Sequence, residues 1–156
     1  MRASLLTLAA LAVATPALAE DLPIRPDPTL TPGVVASTDE AEVCGVVDGK
    51  TYSQRHRQTT AAMKAEVFKR YGIEKDGREF EIDHRLELSL GGADDVRNLW
   101  PQEGMTHPSF HDKDRLESRV WRMVCKKHSM SLADAQAIFL GDWIAGYQKM
   151  FSEPPE

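Results

Sequence analysis

Apolar residues recur at helical spacing in three stretches of the chain. Met63, Val67, Phe68 and Tyr71 fall on one face of a segment that Thr59 or Thr60 can cap and Gly72 ends, which predicts a helix there. Leu116, Val120, Met123 and Val124 line a second helix, predicted to start after Pro108 and reach Lys127. Ser131 with Asp134 makes a start resembling a capping box for a third, whose buried face takes Leu132, Ala135, Ile138, Phe139, Trp143 and Tyr147. Between the first two helices the polarity alternates from Arg78 to Asp83, the period of a half-buried strand. Gly91 and Gly92 make a turn, and Arg97 to Trp100 form a short second strand that Pro101 stops. The order helix, strand, loop, strand, helix, helix predicts an α+β, mostly helical single domain.

The start of the chain reads differently. Arg2 gives a positive end and Leu5 to Val13 an apolar run, well short of the ~20 residues that span a bilayer. Ala17-Leu18-Ala19 is a small-x-small cleavage site. Residues 1–19 are therefore expected to be a signal peptide removed before Glu20, and the mature protein to be periplasmic or secreted. Residues 20–33 carry Pro23, Pro26, Pro28 and Pro32 and read as an extended leader, with the domain proper over 34–151. Export makes a disulfide the expectation for Cys44 and Cys125, worth roughly 4–5 kcal/mol in the chain-entropy model. Two cysteines are too few for a four-cysteine zinc site.

Composition adds exclusions. With 156 residues, 42% hydrophobic and 28% charged, the chain is not collagenous, disordered throughout or a multi-span membrane protein. The formal charge of −5 argues against nucleic-acid binding through a basic surface alone. The charge is uneven, however. Segment 20–49 has one base and seven acids, segment 50–85 nine bases and six acids, and 86–156 eight bases and eleven acids. Within the positive segment, Arg55, Arg57, Lys64, Lys69 and Arg70 form either a phosphate-tracking patch or an ordinary exposed face. Trp100 reads as core, and His56 and His128 as solvated surface.

The chemistry concentrates in Glu81-Ile82-Asp83-His84, Gly91-Gly92, Asn98-Leu99-Trp100-Pro101 and His111 with Lys113 and Asp114. Asp83 supplies a hard oxygen suited to Mg²⁺, Mn²⁺ or Ca²⁺. His84 titrates near neutrality and can take a proton from water. Neighbours on a strand point to opposite faces, but at a strand end the chain can bend, letting one hold a metal while the other meets the reacting water. His111, in the first turn of the second helix, can point back at Asp83. Lys113 either contacts phosphate or pairs along its helix with Asp114 or Glu117.

These residues resemble the HNH family of nucleases, within the His-Me finger or ββα-metal group, and in particular an exported bacterial subfamily. The matching positions are Thr31-Pro32-Gly33, Cys44, Tyr71-Gly72, Glu81 to His84, Gly91-Gly92, Asn98 to Pro101, Lys113 to Glu117, Val124-Cys125, Ala135-Gln136 and Asp142-Trp143, spread over residues 31–150. The resemblance implies a ββα-metal hairpin-plus-helix core. It makes His84 the general base, Asp83 a divalent-metal ligand, and Asn98 the residue that closes the loop between the strands and fixes the orientation of His84. The second metal ligand is expected at the start of the following helix, at His111, with His107, Ser109, Asp112 and Asp114 as alternatives. The expected cofactor is Mg²⁺ or Mn²⁺, with Zn²⁺ or Ca²⁺ as alternatives. The expected activity is hydrolysis of nucleic acid, DNA ahead of RNA, with low sequence specificity, leaving 5′-phosphate and 3′-hydroxyl ends. The mature chain is expected to be a monomer without stable membrane insertion. A rival expectation is a non-catalytic exported module that grips nucleic acid or a surface polymer.

Overall fold

A two-stranded antiparallel hairpin lies between helical segments. The computed structural model describes residues 24–73, 80–105 and 107–152. Three helices precede the hairpin: α1 (Glu40–Cys44), α2 (Tyr52–His56) and α3 (Ala61–Tyr71). The strands are β1 (Phe80–His84) and β2 (Leu99–Glu103), and α4 (Phe110–Cys125), α5 (Leu132–Leu140) and α6 (Trp143–Phe151) follow. The result is an α+β single domain. Among the described residues no helix is long and apolar enough to cross a membrane. The expected signal peptide, 1–19, lies outside the described residues.

Local signals act as expected at α3. The Thr60 side chain accepts from the Met63 N–H, and Gly72 ends the helix in the left-handed region at φ 63°. The third expected helix is two. At Gly141 the chain leaves helical geometry, and Asp142 restarts it by accepting the Ile144 and Ala145 N–H groups at 3.1 and 3.4 Å. The second strand is also displaced. Pro101 lies inside β2, opposite Ile82, and the strand runs on to Glu103. Each strand of a two-stranded sheet has one unpaired edge, where a missing N–H costs no ladder bond.

α1 and α2 have no counterpart in the hydrophobic pattern. Each is five residues long and held by its cap: Asp39 accepts from Ala41 and Glu42, and Thr51 with Gln54 forms a capping box. Cys44 on α1 and Cys125 on α4 meet at disulfide-bonding distance, their Cα atoms 5.1 Å apart across 81 residues of sequence. The core beneath is built from Leu86, Leu90, Leu116, Val120, Val124, Phe139, Trp143 and Ile144.

The proline-rich leader is docked rather than free over its described part. The Trp143 indole donates to the Ile24 carbonyl at 3.1 Å, and Arg25 pairs with Asp142 at 3.0 Å. Thr31 is fully buried, donating to the Leu99 carbonyl at 2.9 Å. The double-glycine turn also has a steric reason. Gly91 sits at φ 84°, and a Cβ on Gly92 would stand 2.0 Å from the Leu86 carbonyl oxygen.

Candidate functional site at the end of the first strand

β1 ends on Asp83 and His84, paired opposite Trp100 and Leu99. Their side chains diverge, as strand neighbours do. Asp83 turns to α4 and His84 to the loop that joins the hairpin strands.

Asp83 meets a cation from its own chain. Lys113 Nζ donates to Asp83 Oδ2 at 2.6 Å and to the His84 carbonyl at 2.7 Å, and it also bonds Glu87. Asp83 Oδ1 accepts the His84 N–H at 2.7 Å. With its amide nitrogen facing Asp83, Gln102 donates to Oδ2 at 3.2 Å and accepts the Phe110 N–H at 3.2 Å. Lys113 is fully buried. Burial alone would lower its pKa, but Asp83 and Glu87 carry it above the usual lysine value, so it stays charged. The surface roles expected for Lys113, a phosphate contact or a pair along the helix, are thereby corrected. One turn of α4 aims this side chain inward, and only buried carboxylates can compensate its charge there.

His84 is 2% exposed. Its Nε2 lies 2.9 Å from Asp94 Oδ1. Asp94 in turn accepts the Thr59 hydroxyl at 2.7 Å and the Gln58 N–H, both from the loop between α2 and α3. Burial pushes the imidazole pKa down; Asp94 and Asp83 oppose this without cancelling it, so the neutral ring is favoured. Nδ1 has no hydrogen-bond partner among the described residues. Nor is it among the sealed side-chain atoms left unsatisfied there.

Asn98 is fully buried and closes the loop. Its Oδ1 accepts the Leu86 N–H at 2.9 Å, and its Nδ2 donates to the Leu86 and Ala93 carbonyls at 2.8 Å. Among the described residues the His84 ring bonds Asp94, while the Asn98 side chain bonds the loop backbone. Asp94 escaped the sequence reading because an Asp-Asp pair after two glycines looks like solvated turn. The available signal was a carboxylate on the loop that returns to the strand end.

His111 is exposed, in the first turn of α4, tilted against Phe110 with ring centroids 4.1 Å apart. Glu81 lies two residues before Asp83 on the same strand face, and Asp114 three residues after His111 on the same helix face. Burial raises the Glu81 pKa, and Asp83 and Asp114 raise it further. Asp114 is raised by burial and then by Asp83, with Lys113, His111 and Arg57 opposing. Carboxylates that repel one another in this way carry charge that a cation relieves; their oxygens suit a hard divalent ion, whereas imidazole nitrogen suits a softer one such as Zn²⁺. The carboxylate oxygens thus suit the expected Mg²⁺ or Mn²⁺, while an imidazole ligand suits the Zn²⁺ alternative. As arranged, no three His, Cys, Asp or Glu side chains among the described residues form a ligating group.

The alternative ligands go elsewhere. His107 Nδ1 is 2.8 Å from Asp112 Oδ2, which also accepts the Ser109 N–H at 3.0 Å. His107 and Asp112 line a cavity of about 350 Å³ with Pro108, Ile144, Tyr147 and Gln148, which neither His84 nor Asp83 lines. The basic segment divides too. Arg55 bonds the Glu42 carbonyl at 3.2 Å, and Arg70 bonds the Leu30 carbonyl at 2.9 Å, so both serve the fold. Arg57 is exposed and its charge bears on His84, Glu81 and Asp114. Trp100 is fully buried, in keeping with core, whereas His56 stacks on Tyr52 with ring centroids 4.1 Å apart. Compared with protein-family models, curated proteins and solved structures, the chain matches none.

Proposed function

We propose that the protein is an exported phosphodiester hydrolase that cuts nucleic acid, DNA ahead of RNA, with little sequence preference. The observation that carries this reading is a neutral-favoured imidazole, His84, held at Nε2 and unengaged at Nδ1, one residue from Asp83. His84 Nδ1 takes the proton of an attacking water. Asp83 and His111 are the residues that would hold the divalent cation, Mg²⁺ or Mn²⁺, and Glu81 and Asp114 would add negative charge nearby. The chemistry such an ion supplies is neutralisation of the charge that grows on the phosphate and the leaving oxygen. Arg57 meets the substrate backbone at the rim. General-base catalysis accounts for roughly 10²–10⁴-fold of the rate. With few cationic contacts in an acidic chain, binding is weak and falls with salt.

The test is digestion of plasmid DNA and of RNA by the purified chain in Mg²⁺ and Mn²⁺, with EDTA and His84→Ala as controls. Cleavage that stops in EDTA and in the folded His84→Ala variant is expected. Cleavage that persists in either overturns the corresponding role.

The Lys113 ammonium on Asp83 and the 2% exposure of His84 favour the rival, a non-catalytic binding module. DNA retention without nicking under all metal conditions selects it.

A further inference from the structure

We propose that Asp94 is the positioning residue for His84: clamped by the loop between α2 and α3, its carboxylate holds the imidazole with the proton on Nε2 and the lone pair on Nδ1. An ionised carboxylate accepts only, so the 2.9 Å contact between His84 Nε2 and Asp94 Oδ1 requires the hydrogen on Nε2. In a neutral ring the other nitrogen then carries the lone pair, and that nitrogen has no partner among the described residues.

Asp94 is itself fixed. Burial alone would raise its pKa, but the Thr59 hydroxyl, the Gln58 N–H and His84 hold it below the usual carboxylate value, so it stays an acceptor. Its side chain is 5% exposed, which keeps water from competing for Oδ1. Three separate stretches of chain converge here: residues 58–59, the loop at Asp94 and the end of β1. A two-point clamp on the carboxylate leaves the imidazole one orientation, whereas a bond to water would leave it free to flip and to exchange tautomers.

The consequence for catalysis rests on the hydrolase reading above; the tautomer does not. The experiment therefore reads both. Long-range ¹H–¹⁵N correlation spectra of the full chain, recorded at mildly alkaline pH where the ring is neutral, report which nitrogen of His84 bears hydrogen. The expected result is a single tautomer with pyrrole-type Nε2 and pyridine-type Nδ1. Asp94→Asn is expected to give a mixed or inverted tautomer. Its kcat should fall by on the order of 10²–10⁴-fold, the contribution of a positioned base, with KM unchanged. Thr59→Val, which removes one arm of the clamp and leaves the carboxylate, is expected to broaden the two ring signals and lower kcat less. It stands in if Asp94→Asn does not fold. An unchanged tautomer in Asp94→Asn, or an unaffected ring spectrum in Thr59→Val, overturns the proposal. A wild-type protein that cleaves nothing but shows the expected tautomer overturns the hydrolase reading and leaves this one standing.

Discussion

Lys113 Nζ lies 2.6 Å from Asp83 Oδ2, so the helix that follows the hairpin is tied to the end of β1 by a buried charge pair. The same ammonium bonds the His84 backbone carbonyl and Glu87. One side chain of α4 thus sets the position of both residues at the strand end.

Removing that ammonium should be costly. Lys113→Met leaves Asp83 without its counter-charge and forces Glu87, whose pKa burial and Asp83 already hold well above the ordinary carboxylate value, to take up a proton; breaking such a pair from one side costs about 3–5 kcal/mol. The measurement is the urea midpoint of the variant against wild type. Pairing Lys113→Met with Glu87→Gln should recover part of the loss, because glutamine is neutral there without taking up a proton. A lone Lys113→Met variant with the wild-type midpoint would show that the pair carries no stability.

Divalent ions should act on stability through Glu81 and Asp114. Both have pKa values raised in the fold, by burial and by their acidic neighbours. A carboxyl raised in this way binds more protons folded than unfolded. Its stabilising effect is complete at low pH and is lost as pH climbs from the ordinary carboxylate range, ~4, through the folded value. Glu81→Gln and Asp114→Asn should therefore raise the melting temperature at neutral pH and not below the ordinary carboxylate range. Both groups are exposed at the surface, so each gain should be at most about 1 kcal/mol. Added Mg²⁺ or Mn²⁺ should stabilise wild type and not the double variant, since an ion that binds the folded state alone raises its melting point. Equal ion responses in the two proteins would remove these carboxylates from any cation site.

Reduction should loosen the whole domain. The Cys44–Cys125 link closes an 81-residue separation and ties α1 to the end of α4. In the chain-entropy model a loop of that size is worth roughly 4–5 kcal/mol. Paired denaturation curves with and without reductant, and Cys44→Ala with Cys125→Ala, should show a drop of that order. Two alkylatable thiols in protein purified without reductant would contradict the link.

The helical stripes, the caps at Thr60 and Ser131, the glycine stop at Gly72 and the double-glycine turn were legible along the chain, because each depends on residues within a turn or two of one another. So was the neighbourhood of Asp83, His84 and Asn98, whose residue types are scarce outside polar sites. The split between α5 and α6 was hidden by an apolar stripe that continues across Gly141, and β2 ran past a proline tolerated at an unpaired edge. The roles of Lys113 and Asp94 depend on what lies across the fold. A lysine is a surface residue until two carboxylates from another element surround it. An aspartate in a loop is a turn former until an imidazole and a threonine hydroxyl close on it. Local order was written in the sequence because its forces act between near neighbours; the partners of the buried charges were decided by packing, which alone sets which distant groups share a space without water.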